Sequence, residues 1–450
     1  MDRMRGSICL FLFALFAAVG AQAGEPIRLE TRLANPVMKG GEAHKNYLRI
    51  ALQGCKPEPT ENRTPVNVSF VIDRSGSMSG PRIAQAREAA IMAINRLQPN
   101  DIASVVIFDQ TVDVLVPAQH VTDPNQITDP IRLIGARGST AIHAGVLQGA
   151  AEVAKNKDAR RLNRVVLLSD GQANVGPTRT ADFALLGQAL FSQGISVSTI
   201  GLGLGYNEDL MLQLARTSDG NHAFARDPSD LINIFNKEFS DVLGSCAQTV
   251  SVDVEFKAGV RPVRALSREG VIDGQRAQFT LNQVYAATEH YILLEVEVDK
   301  ALAEATATPG EQEFGLVKVA YTVPESGAKQ ALDAPIRGRF SKVDDEVKAA
   351  RDLKVTEAVV EQTTRERTQR AVTLQDQGKI KEARDLMMQN ATEINALAAT
   401  IPLSQHMRDL QTQYYALGAQ AAPATGDHLL AGRKAMRALQ APAANAGVRY

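Results

Sequence analysis

Between Val66 and about Leu243 the hydrophobic pattern switches back and forth between short continuous apolar runs and stretches of helical period. Few folds satisfy such a pattern. The runs Val66 to Ile72, Ala103 to Phe108, Val112 to Val116, Arg164 to Leu168, Ile195 to Gly201 and His222 to Phe224 read as strands. Pro81 to Leu97, Ala141 to Ala154, Ala181 to Gln193, Glu208 to Arg216 and Pro228 to Leu243 read as helices. In the first helix Ile83, Ala86, Ala90, Ile94 and Leu97 recur at steps of three and four, so one face is apolar. Val165-Val166-Leu167-Leu168 is apolar without interruption, as a strand covered on both faces must be. The region predicts an α/β fold with a doubly wound, mostly parallel sheet.

After Cys246 the period changes to two. Val250, Val252, Val254 and Phe256 alternate with polar residues, as do Leu294, Val296, Val298 and then Val317, Val319, Tyr321. A β-sandwich-like domain is expected over 247–340. Strand-like pieces also precede the α/β region, at Ile27 to Thr31 and Tyr47 to Leu52. Two isolated strands cannot bury their apolar faces, so residues 24–60 are expected to pair with the later β domain, with the α/β domain, 64–244, inserted between them. From Asp344 helical period returns. One helix is expected to carry Val347, Leu353, Val355 and Val359, with others at Ile380 to Leu397 and, behind Pro402, at Leu403 to Leu417. This predicts a helical hairpin or bundle over 343–418 and a flexible tail rich in Ala, Pro and Gly over 419–450.

The first residues carry a different signal. Arg3 and Arg5 precede an apolar stretch from Ile8 to Val19, followed by the small-x-small site Ala21-Gln22-Ala23. That is the pattern of a secretory signal peptide, residues 1–23, and it predicts a periplasmic or secreted protein with no integral membrane segment after cleavage. Two cysteines then remain, Cys55 and Cys246, flanking the α/β region. In an oxidising compartment they make either one disulfide or two buried thiols, and their places at the two ends of a compact domain favour the bridge. The 49 basic and 50 acidic residues give a net charge of -1 without long charged runs, which argues against a nucleic-acid partner. The seven histidines show no paired metal-ligand spacing.

Chemistry concentrates in three loops. At the end of the first α/β strand stands Asp73-Arg74-Ser75-Gly76-Ser77, a D-x-S-x-S turn leading into a helix. Arg137-Gly138-Ser139-Thr140 precedes the second helix, and Ser169-Asp170-Gly171 follows the fourth strand. In an open α/β sheet, loops leaving strands where the order reverses converge on one crevice. Carboxylates and hydroxyls there are hard oxygen donors, suited to Mg²⁺ or Ca²⁺ and poorly suited to zinc.

Taken together, D-x-S-x-S, G-S-T and S-D-G resemble the metal-ion-dependent adhesion site of the von Willebrand factor type A family, over about residues 64–244. The resemblance implies a cation held by Asp73, Ser75, Ser77, Thr140 and Asp170, some of them through water, with Thr140 as the contact that switches when a partner binds. It also implies a non-enzymatic module whose protein partner presents an acidic side chain to the ion. Bacterial exported proteins of this type, and more distantly inter-alpha-trypsin inhibitor heavy chains, are similar. Two other readings compete: a metal-dependent hydrolase using the same ion, and a scaffold whose helical region is the contact surface. His143 would be the hydrolase's base but reads as a helix-surface residue, and Asp109 and Gln110 read as the turn of a hairpin.

Overall fold

The computed structural model describes residues 26–55, 64–158, 160–202, 206–225, 230, 234, 245–305, 310–324, 326–419 and 426–440. The signal-peptide segment lies outside the described residues, as does almost all of the run Pro228 to Leu243.

Three strands precede the α/β region: β1 (Ile27–Leu33), β2 (Val37–Lys39) and β3 (His44–Gly54). The α/β region contains β4 (Val66–Asp73), β5 (Ile102–Phe108), β6 (Val112–His120), β7 (Leu162–Ser169), β8 (Ser196–Leu202) and β9 (His222–Ala225). They form one sheet in the order β6-β5-β4-β7-β8-β9. All neighbours are parallel except the β5–β6 hairpin. Every residue of β4 is buried, because helices cover both faces. Val66, Val68, Phe70 and Ile72 pack on one side with the helix Pro81–Ile94, whose Ala86, Ala89, Ala90 and Ala93 allow close approach. Val71 points the other way, into a core shared with the helices Ile142–Ala154, Thr180–Ser192 and Glu208–Thr217. Burying each large apolar side chain contributes roughly 1.5–3 kcal/mol, so this double-sided core makes β4 a rigid base for the residues at its end. An additional helix, Pro124–Arg132, was not legible from the pattern because Pro130 reads as a breaker. Pro130 falls in its last turn, while Ile127 and Ile131 anchor one face in the core.

The rest of the β structure is β10 (Ser245–Phe256), β11 (Val260–Ala265), β12 (Val271–Asp273), β13 (Arg276–Tyr285), β14 (Glu289–Val298), β15 (Gln312–Thr322) and β16 (Lys329–Ser341). Two sheets, β1-β3-β14-β11 and β12-β13-β10-β15-β16-β2, face each other across a single core. The early strands are integral to both: β3 pairs antiparallel with β14, and β2 pairs parallel with β16. The α/β region is therefore an insertion between β3 and β10. A disulfide joins Cys55 to Cys246 across the neck of the insertion, with Cα atoms 5.8 Å apart.

The sandwich abuts the amino-terminal edges of β7 and β8. The fully buried Arg164 donates to Ser198 Oγ at 2.9 Å and to the Tyr285 hydroxyl, and Asn282 Nδ2 donates to Ser196 Oγ at 3.2 Å. Nearby, His290 is buried with its Nδ1 unpartnered, and burial pushes its pKa down to about 4. The unfolded chain takes up that proton first, near pH 6.5, so folding stability should fall as pH drops from about 6.5 to about 4, by up to roughly 3 kcal/mol. Urea midpoints measured across that window should be flatter for His290→Gln. Parallel curves for the two proteins would disprove the assignment.

Helices Leu353–Asp376, Ile380–Ala398 and Gln405–Gly418 form a bundle around Ala371, Met387, Ile394, Leu410 and Tyr414. Val347 sits on a separate short helix, Asp344–Ala349, and not on the long one; Asp352 caps the long helix, its carboxylate accepting from Val355 N at 2.9 Å. The helix after Pro402 begins later than expected, capped by Ser404. A larger correction concerns the tail. Residues 426–440 form a helix that packs Met436 and Leu439 into the bundle core. Its Arg433 reaches Glu208, Asp209 and Asp376, and its Lys434 lies 4.8 Å from the Tyr206 ring centre. Composition favoured a loose tail; the partners that order this helix are the bundle core and Asp376, together with Glu208 and Asp209 more than two hundred residues back in the chain. Among the described residues no helix is long and apolar enough to cross a membrane.

Candidate metal centre

β4 ends at Asp73 on the carboxyl edge of the sheet, and β7, its parallel neighbour, ends at Ser169. The order of connection reverses between them, which opens a crevice at that edge. From Asp73 the chain makes a short 3₁₀ turn, Gly76–Met78. Gly80, at φ 77°, then turns it into the helix that begins at Pro81, a backbone state that suits glycine.

Backbone hydrogen bonds lace the three loops together. Gly76 N donates to Gly138 O at 2.9 Å, Arg137 N to Arg74 O at 2.6 Å, and Asn174 N to Thr140 O at 3.1 Å. Gly138 has φ +73°, and a Cβ there would lie 1.9 Å from Gln110 Oε1, so the threonine loop depends on that glycine. Asp73 is fully buried: its Oδ1 accepts from Ser75 N at 2.8 Å and its Oδ2 from Ser169 Oγ at 2.6 Å. The Ser75 and Ser77 hydroxyls stand 3.0 Å apart, Ser75 buried and Ser77 half-exposed. Asp170 is fully buried, and its Oδ2 accepts from Arg82 Nη1 at 3.2 Å. Thr140 is buried, its backbone N–H held by Asn174 Oδ1 at 2.7 Å.

The arrangement is rich in oxygen and poor in positive charge around Asp73. Burial pushes that carboxyl up to about 6, against the hydrogen bonds from Ser169 and Ser75, and the nearby Asp170 charge adds to the rise. Among the described residues no cluster of three or more His, Cys, Asp or Glu could hold a metal. Any cation here must rely on hydroxyls as well as the two carboxylates, which suits a hard ion. The donor set therefore fits Mg²⁺ or Ca²⁺.

Several contributors escaped sequence reasoning. Ser169 orients Asp73 and also accepts from Gly171 N at 2.8 Å; its place inside S-D-G was the available signal. Asp109 turns its hairpin through Thr111, and it also does more, accepting from Arg137 Nε at 3.0 Å and pairing with Arg74 at 3.0 Å. Burial would raise its carboxyl, but the Thr111 hydrogen bonds and the two guanidinium groups hold it down at about 2. Gln110 accepts from Ser139 N at 2.9 Å, so this hairpin props the threonine loop. His143 is half-buried, with its ring packed edge-on against Phe183 at 5.7 Å.

Residues 67–237 match the model of the von Willebrand factor type A domain. Over that stretch the chain carries a von Willebrand factor type A domain. An uncharacterized protein of Synechocystis sp. is 28% identical to it over 345 residues, 74% of this chain and 79% of that protein. Human inter-alpha-trypsin inhibitor heavy chain H3 is 28% identical over 172 residues, 36% of this chain but only 19% of the heavy chain. A solved von Willebrand factor type A protein from Catenulispora acidiphila superimposes with a TM-score of 0.69 at 15% identity, covering 95% of this chain and 99% of that one. That likeness is one of fold, and its coverage extends beyond the type A domain.

Proposed function

We propose that this von Willebrand factor type A protein is an exported, non-enzymatic binding protein that recognises an acidic side chain of a protein partner through a divalent cation. Asp73, Ser75, Ser77, Thr140 and Asp170 would hold the ion, Mg²⁺ or Ca²⁺. The observation that carries the reading is the joint burial of Asp73 and Asp170 beneath a half-exposed Ser77, at a crevice where three loops are tied together. Two buried carboxylates with one arginine, on Asp170, and neutral hydroxyls beside them leave negative charge uncancelled. The ion would supply an electrophilic position that an incoming carboxylate can fill. Ser75 and Ser77 offer neutral donors, while Asn174 and Gln110 fix the loop that presents Thr140.

Binding is favoured over hydrolysis because the groups closest to the carboxylates are hydroxyls and an arginine, and His143 packs on Phe183. The test combines Mg²⁺ calorimetry with a pull-down from periplasm or medium, run in Mg²⁺ and in chelator. Wild type should bind one Mg²⁺ and retain partner only with the ion. Asp170→Ala should lose both, and Thr140→Ala should lose partner more than ion. Equal partner retention by all three proteins in Mg²⁺ would overturn the reading.

A further inference from the structure

We propose that Arg82 is an internal counter-cation that competes with the divalent ion for Asp170 and thereby sets how tightly that ion is held. The inference rests on the cation reading above and deepens it.

Arg82 lies in the first turn of the helix Pro81–Ile94, just beyond the D-x-S-x-S turn. One of its nitrogens, Nη1, donates to Ser77 O at 2.9 Å and to Asp170 Oδ2 at 3.2 Å. A single positive group thus bridges two of the three loops, at two of the five residues expected to hold the ion. Gln172 N also donates to the Asp170 Oδ1, at a long 3.4 Å. The Asp170 carboxylate is wholly buried, whereas the Arg82 side chain is 31% exposed. The guanidinium therefore reaches the site from the solvent side, with room to withdraw.

The two carboxylates are treated unequally. Asp73 is held by neutral donors, Ser75 N and Ser169 Oγ, while Asp170 already has a cationic partner. Lys434 of the C-terminal helix is close enough to feel the charge of Arg82, so a second cation lies near the site. Two charges of -1 face one of +1, so a divalent ion must enter against a positive group that sits on one of its own ligands. Repulsion between cations at such range lowers affinity for the ion. It also leaves the positive charge beside the site, where an acidic partner benefits from it.

A purely structural tie predicts the opposite sign. If Arg82 only held Ser77 and Asp170 in place, its removal would loosen the ligands and weaken the ion. The experiment titrates the full chain with Mg²⁺ alone, by calorimetry at low ionic strength, for wild type, R82M and R82K. R82M keeps the apolar stem and loses the charge; R82K keeps the charge. Competition predicts that R82M binds Mg²⁺ about tenfold more tightly than wild type and that R82K stays within about threefold of it. The gap should shrink in roughly 1 M salt, where the screening length is about 3 Å. Circular dichroism melts in chelator establish that each variant is folded, and R82Q serves as a second neutral variant. Equal or weaker binding by R82M and R82Q overturns the proposal. If wild type is silent but R82M binds, competition is supported in its strongest form. If no protein binds Mg²⁺, the cation reading itself fails and this inference falls with it.

Discussion

At about pH 7.5 and with divalent cations chelated, Asp73→Asn is expected to melt several degrees above the wild-type protein. Asp73 is fully buried, and burial has pushed its pKa up to about 6. Keeping it ionised above that pH costs roughly 3 kcal/mol, because the folded pKa lies about two units above the unfolded value. The sign follows from proton counting. A raised carboxyl pKa means the native state binds the extra proton, so the penalty is present above about pH 6 and is relieved as pH falls through 6 toward 3.8. His290 acts in the reverse direction over an overlapping window, so the difference between wild type and variant is the informative quantity. Asparagine has nearly the shape of aspartate and can still accept from Ser75 N. Adding Mg²⁺ should raise the wild-type melting temperature and leave the variant unmoved; an ion at about a hundred times its Kd is worth ~2.7 kcal/mol. Scanning calorimetry in chelator and in Mg²⁺ separates the terms. A variant that melts lower than wild type in chelator would show that Asp73 serves the fold and not an ion.

The second large effect is expected at the other end of the type A domain. Cys55 and Cys246 are separated by 191 positions, and closing a loop of that length removes about 5 kcal/mol of chain entropy from the unfolded state. Replacing both by Ala should therefore shift the urea midpoint strongly downward, and adding reductant to the wild type should do the same. The loops of the candidate cation site lie at the carboxyl edge of β4 and β7, while the bridge links the end of β3 to β10 in the sandwich that abuts the amino edge of β7 and β8. Mg²⁺ affinity of the folded variant should consequently remain near that of the wild type. A midpoint unmoved by loss of the bridge would mean the sandwich alone holds the insertion closed. Loss of Mg²⁺ binding in a variant that is still folded would mean the two ends of the domain are coupled.

How much of this was legible beforehand depends on range along the chain. The strands β4, β5, β7 and β8 could be read because a strand buried on both faces must be continuously apolar, a property each segment carries on its own. That the loops carrying the D-x-S-x-S turn, Thr140 and Asp170 meet could be read because ligand crevices of a doubly wound sheet form where strand order reverses; the ligand set itself is what the family resemblance implies. Local signals failed where distant partners decide the outcome. Pro130 reads as a breaker until Ile127 and Ile131 find a core to enter. Residues 426–440 read as a tail until Arg433 meets Glu208 and Asp209.

The same division runs through the site. Residue types and spacing alone determined a hard-oxygen donor set at the carboxyl edge of a parallel sheet, because hydroxyls, carboxylates and the fold's crossover rule are all properties of short segments. Only the tertiary structure decided the electrical state of that set. It buries Asp73 among neutral donors, places Arg82 on Asp170, and ties Asp109 to Arg74 and Arg137. Charge interactions depend on distance through space and on exclusion of water, and neither quantity is written in the order of residues.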